Sequence, residues 1–197
     1  IKPIHKEFTY EGYAQQLVGQ LAALGVNVDL IGADHPLDGY RLVLVPFAPI
    51  LPEDFRRKCR DYAEKGGHLL AMTMAFSRDE WGSGIFEKSP VGMTDFFGMH
   101  VVEMEPVFDG QTDAPVRIGE LTTRSYFWQE TLESEGAEVL GVFRGTYRDG
   151  WPVLTEHPYG KGSALYLGTA PAPEDAPALL RWLLERCGVS LPPVEMV

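Results

Sequence analysis

The chain has 197 residues, room for one domain with a real core, and its 45% hydrophobic and 23% charged side chains are the balance of a globular protein in water. A formal net charge of −11 argues against a nucleic-acid partner or an anionic membrane surface, both of which need clustered cations. No apolar run approaches the roughly 20 residues of a membrane span. The opening Ile1-Lys2-Pro3-Ile4-His5 is not a signal peptide, and with no initiator Met the chain reads as an excised piece or a processed product. Cys59 and Cys187 each fall on the apolar stripe of a predicted helix. They read as small buried thiols, which fits a reducing, cytoplasmic location.

Ile1 to Phe8 is weakly patterned. Thr9 is placed to cap a helix whose stripe is Tyr10, Tyr13, Ala14, Leu17, Val18, Leu21 and Leu24, ended by Gly25. Val26 to Ile31 reads as a strand. A helix that precedes its sheet normally follows an earlier strand. Either Ile1 to Ile4 is a poor one, or the first strand lies outside the chain. Next come the turn Leu37-Asp38-Gly39-Tyr40 and the unbroken apolar run Leu42 to Val45. Pro52-Glu53-Asp54 opens a helix with Phe55, Cys59, Tyr62 and Ala63 on one face, and Lys65-Gly66-Gly67 closes it. His68 to Thr73 is a second apolar run. Apolar runs without alternation suit strands covered on both faces, so this stretch predicts a right-handed βαβ unit.

Ala75 to Pro90 is a loop at the carboxyl edge of that unit, where open parallel sheets bind ligands. It carries Arg78-Asp79-Glu80-Trp81 and Gly82-Ser83-Gly84. Pro90 to Phe97 predicts a short helix stopped by Gly98, and His100 to Glu105 alternates like a strand. Asp109 to Glu120 reads as loop, with room for a strand at Val116 to Ile118. Tyr126 to Leu132, Ala137 to Phe143, Pro152 to Thr155 and Ala164 to Leu167 read as short strands. Their turns are Glu135-Gly136, Asp149-Gly150 and Gly160-Lys161-Gly162. A last helix carries Leu179, Leu180, Leu183, Leu184 and Cys187 inward and stops at Gly188. The expected organisation is one domain over residues 1–190 and a linker over 191–197, leading from Leu191-Pro192-Pro193 toward a further domain.

Several stretches taken together are similar to a known family. They are Leu37 to Pro46, Tyr62 to Leu70, Asp79-Glu80, Trp128-Gln129-Glu130-Thr131-Leu132, Gly136 to Leu140, Gly150-Trp151-Pro152-Val153, and Tyr159-Gly160-Lys161-Gly162 running to Thr169. Their order and spacing resemble the middle domain of the family 42 glycoside hydrolases, which are β-galactosidases. The resemblance covers roughly Thr9 to Val189. It implies a three-layer α/β/α sandwich with a mainly parallel sheet, flavodoxin-like and class I glutamine amidotransferase-like, with a β-rich C-terminal part. It also implies a role in trimerisation, with the chain associating with itself downstream of a catalytic TIM barrel. That family usually carries Arg-Ser-Gly shortly before its Asp-Glu. Here the stretch is Ala75-Phe76-Ser77, so no role is carried over from that loop.

A glycosidase needs two carboxyl groups about 5 to 9 Å apart. The resemblance implies an acid in an Asn-Glu pair on the barrel, but the chain's one asparagine, Asn27, precedes Val28. Asp79-Glu80 and Glu103/Glu105 remain as carboxylate pairs, the first a solvated or capping pair by the plainer reading and the second on one face of a predicted strand, a solvent or interface face. An amidotransferase needs a cysteine on a strand-to-helix turn. The turn after His68 to Thr73 offers Thr73, Met74 and Ser77 instead. The five histidines are scattered without ligand spacing. Gly160-Lys161-Gly162 lacks a phosphate-loop frame and reads as a hairpin turn. No catalytic, cofactor or metal site is expected on this chain. Trp81, Phe86, Trp128 and Trp151 are open as sugar platforms, subunit contacts or partly buried packing. The expected function is a non-catalytic assembly domain with Asp79, Glu80 and Trp81 as a candidate interface or loop site. The alternatives are a stand-alone amidotransferase-like or carbohydrate-binding module, or a degenerate enzyme using Asp79 or Glu80.

Overall fold

A computed structural model describes residues 9–83, 87–107 and 114–192. Helix α1 spans Tyr10–Ala23, and the Thr9 hydroxyl accepts the Gly12 amide at its start. Strand β1 (Leu42–Val45), helix α2 (Glu53–Glu64) and strand β2 (His68–Met72) form the expected βαβ unit, in parallel register with Leu42 opposite His68. Short α3 (Thr94–Phe97) ends where Gly98 turns left-handed, and β3 (Met99–Pro106) follows. Then come β4 (Pro115–Ile118), β5 (Leu121–Ser134), β6 (Glu138–Phe143), β7 (Pro152–Tyr159), β8 (Gly162–Leu167), β9 (Thr169–Pro171) and α4 (Ala176–Arg186).

The strands form one sheet in the order β1-β2-β8-β7-β6-β4-β5-β3, with β9 paired to β5. Only β1–β2 and β2–β8 are parallel among the described residues, and the other pairings are antiparallel. This corrects the expectation of a mainly parallel sheet: the fold is mixed α/β with a strand-rich, largely antiparallel sheet. The cause is connection length. Gly160-Lys161 joins β7 to β8, and Gly119-Glu120 joins β4 to β5. Two-residue turns reverse the chain, whereas a parallel pair needs a crossover.

Alternate residues of β2 and β8 divide the core. Leu70, Met72, Leu165 and Leu167 pack with α1 and α4, while Leu69, Ala71, Ala164 and Tyr166 pack with α2 and α3. Both faces of these central strands are therefore covered, which is why their sequences show no polar alternation. Val26 to Ile31 departs from expectation: it makes no ladder, although its alternation is strand-like. Propensity supplies an extended chain, but a strand also requires a hydrogen-bonding neighbour. Leu191 packs against the core and Pro192 sits against Gly25. Among the described residues no helix is long and apolar enough to cross a membrane.

Candidate functional site: the carboxyl edge of β1 and β2

The segment after β2 crosses the end of β1 and is tied to it. Phe76 N–H donates to Ala48 O, and Arg78 N–H donates to Pro49 O (both 3.0 Å). Met74 and Phe76 hold left-handed backbone, with φ of 65° and 57°. Such a conformation strains a side-chain-bearing residue and persists only where the surroundings impose it. Here they do. The Glu130 carboxyl, fully buried on β5, accepts the Met74 amide at 3.0 Å through Oε1 and the Tyr166 hydroxyl at 2.9 Å through Oε2. Burial raises Glu130 to about 7, against the pull of the two donors. Phe76 itself is buried between Phe55 and Phe97.

Beyond that anchored part, Asp79 builds a turn within the loop. Its Oδ1 accepts the amides of Trp81 (3.0 Å) and Ser83 (2.7 Å), and its own N–H donates to Ser83 O at 2.7 Å. A carboxylate closing a turn on backbone donors is doing structural work. Glu80 is exposed, and the Trp81 side chain stands 84% exposed. A Cβ on Gly82 would touch Ile50, itself 51% exposed, so two large apolar side chains share this corner. The structure thus brings Asp79, Glu80 and Trp81 into one turn. Phe86 and Gly84 lie outside the described residues.

The second carboxylate pair has a different fate. Arg148, in the loop between β6 and β7, is 2% exposed, and its Nη1 donates to Glu105 Oε1 (2.5 Å) and Gln129 Oε1 (3.1 Å). Its Nε donates to Thr131 Oγ1 at 2.9 Å, and its Nη2 lies 3.4 Å from Glu103 Oε2. The ring of Tyr147 covers it at 4.4 Å. Arg148 holds Glu105 below the usual carboxylate range. Glu103 and Glu105 are therefore spent in an ion network, not poised as an acid and a nucleophile.

These observations settle what this edge offers chemically, and the comparison with known sequences then places the fold. Residues 2–190 match the family model described as the beta-galactosidase trimerisation domain. The chain belongs to that family. The trimerisation domain is 30% identical over 164 residues to the β-galactosidase LacZ of Heyndrickxia coagulans, covering 83% of this chain and 24% of that protein. To the β-galactosidase YesZ of Bacillus subtilis it is 28% identical over 188 residues, covering 91% and 27%. A solved β-galactosidase from the haloarchaeon Halorubrum lacusprofundi superposes with a TM-score of 0.87 at 26% identity, over 96% of this chain and 28% of that one. The chain spans about a quarter of the length of the curated relatives it matches.

Other groups on the trimerisation domain that resemble catalytic sets are not arranged as such. His68 Nδ1 lies 2.8 Å from Ser163 Oγ, which donates to Glu156 Oε1 at 2.7 Å. In a hydrolytic triad the imidazole stands between serine and acid. Here the serine stands in the middle, buried, and gives its proton to the carboxylate. Burial lowers His68, which favours its neutral form. Ser77 is buried behind the loop, and both cysteines are free, buried and pushed up to about 12 by desolvation. Among the described residues no cluster of three His, Cys, Asp or Glu is placed to hold a metal. Trp128 is half-buried against the core, while Trp151 is exposed.

Sequence reasoning passed over Glu130 and Arg148. The only signal was an acid at an inward position of Trp128-Gln129-Glu130-Thr131-Leu132, which reads as a solvated strand residue until the tertiary neighbours are known.

Proposed function

We propose that this trimerisation domain holds three copies of a family 42 β-galactosidase together and carries no catalytic group itself. The hydrolysis of terminal β-D-galactosides then belongs to a TIM barrel upstream in the same protein, working in the cytoplasm. The observation that carries this reading is the match of residues 2–190 to the trimerisation-domain family. It is supported by the inward ties of Asp79, Glu103, Glu105 and Ser163, which leave no free acid–nucleophile pair among them. Helices packed on both faces of the central strands support a three-layer architecture that is flavodoxin-like and amidotransferase-like around β1, β2 and β8. Residues 1–190 act as one assembly unit, and 191–197 lead to the next domain.

Trp81, with Ile50 beside it and Asp79 fixing the turn beneath, is assigned to the subunit contact. Exposed aromatics are rare on free surfaces and enriched at the energetic centres of interfaces. A ring of three uses a heterologous contact, so this corner meets a different patch on the next copy. Sedimentation velocity of the full-length protein tests it. Trp81→Ala should weaken the trimer by roughly tenfold or more, in line with a loss of about 2 kcal/mol at an interface aromatic. An unshifted trimer would remove Trp81 from the contact. A chromogenic β-galactoside should be turned over by the full-length protein and not by this chain alone.

A further inference from the structure

Of the described ties that hold the segment after β2 to the sheet, one is made by an acid. Phe76 and Arg78 are held by neutral backbone bonds to Ala48 and Pro49, and Arg56 Nη2 donates to Arg78 O at 3.0 Å. Met74 is held by the Glu130 carboxyl, which is fully buried. The groups that face this carboxyl are donors. They are the Met74 amide and the Thr73 hydroxyl after β2, the Tyr166 hydroxyl of β8 and the Trp128 indole N–H of β5. Tyr166 is the titratable one among them, and burial, with Glu130 beside it, raises it well above its ordinary value, so it stays neutral. No cation stands with these donors. Gln129 and Thr131 turn toward Arg148, so alternation along β5 points Glu130 to the other face. Arg148, Glu103 and Glu105 therefore lie behind the strand, paired with one another.

An ionised carboxyl in that position has lost its water and gained no counter-charge, so burial outweighs the pull of the donors. The rise of Glu130 to about 7 has this cause. A loop that lifts lets water reach the carboxylate, so ionisation favours the lifted state. Met74 and Phe76 hold left-handed backbone, which relaxes on release, and burial of Phe76 opposes that release. The same segment runs on into the Asp79 turn, which presents Trp81 at the surface. We propose that Glu130 is a pH-sensitive latch on this loop: with its proton it seats Met74 and holds the Trp81 turn in place for the subunit contact, and without it the loop lifts and the contact loosens. The effect on assembly rests on the assignment of Trp81 to that contact; the latch does not.

Native-state amide exchange of the full-length protein from about pH 5 to 8, with each rate divided by that of an unprotected amide, reads the latch. Protection of Met74 and Phe76 should fall roughly 70-fold across that range, the factor set by a carboxyl at 4.5 when exposed and about 7 when seated. It should stay below the protection of Leu165 and Leu167 in central β8, which open with the whole domain. In Glu130→Gln it should stay flat within about threefold. By sedimentation velocity the wild-type trimer should weaken at least about threefold more than the Glu130→Gln trimer between about pH 5.5 and 8. Flat protection at Met74 and Phe76 in the wild type would overturn the latch. Protection equal to that of β8 would do the same, since the loop then opens only on global unfolding. A fall with pH that survives in Glu130→Gln would assign the titration to another group and also overturn it. If Trp81→Ala weakens the trimer while pH acts alike on wild type and Glu130→Gln, the link to assembly is refuted. If Trp81→Ala leaves the trimer intact, the contact assignment falls and the exchange profile alone decides the latch. That profile is read on the wild type, so it decides even where Glu130→Gln does not fold.

Discussion

Replacing Glu130 by Gln should flatten the stability of this domain between pH 4.5 and 7. The carboxyl is fully buried, and burial raises it from the ordinary 4.5 to about 7. The native state therefore keeps a proton that the unfolded chain gives up across that window. The contribution of Glu130 to stability is fully present below pH 4.5, falls as pH rises, and levels off above 7, where the native carboxyl also ionises. The loss relative to a permanently neutral side chain is on the order of 3 kcal/mol. Glutamine preserves the shape. Its oxygen can accept the Met74 amide, and its NH2 can donate to the Tyr166 hydroxyl oxygen. His68 acts in the opposite direction: burial lowers it, so its contribution rises with pH toward 6.5. That trend is common to both proteins and cancels in the difference. Urea unfolding at half-unit pH steps from 4 to 8 gives the measurement, with the m-value as a check that the unfolded state is unchanged. Parallel curves for the two proteins would refute the reasoning, since Glu130 would then titrate alike in both states.

Further expectations follow from the same contacts. Arg148→Met should destabilise the domain by about 2 kcal/mol, because Gln129 and Thr131 lose a buried donor while Glu103 and Glu105 keep partial access to water; thermal unfolding reads it, and an unchanged midpoint would show that the network is dispensable. Gly162→Ala should cost at least about 2 kcal/mol or prevent folding, since a Cβ there would lie 1.9 Å from Gly67 O, a backbone atom that cannot swing aside. Wild-type stability at Gly162→Ala would refute the close β2–β8 approach as the reason for glycine at this position. With a net charge of −11 on each chain, raising salt from about 20 to 200 mM should tighten self-association by screening like-charge repulsion; light scattering that shows dissociation with added salt would instead place ion pairs at the centre of the contact.

The local elements were legible because their signals are local. The caps and stops of α1 and α2, the βαβ unit at residues 42–72 and the hairpin at Gly160-Lys161 all stand where periodicity and turn residues put them. The balance of the sheet is less legible: the turns announce a β-rich C-terminal part, but the resemblance implies a mainly parallel sheet, and only the strand pairing shows that most neighbours run antiparallel. The candidate site was half legible: Asp79, Glu80 and Trp81 do share one exposed turn, but Asp79 is committed to holding it.

From the chain alone came the apolar runs, the capped helices, the acidic charge and the lack of any motif with catalytic spacing, since each depends on residues adjacent or nearly so. Only the folded structure decided that Glu130 is sealed under Met74, that Arg148 gathers Glu103 and Glu105, and that segment 26–31 makes no ladder. These depend on which distant residues meet. Burial, ion pairing and strand pairing are energies between neighbours in space, and spacing along the chain does not encode them one residue at a time.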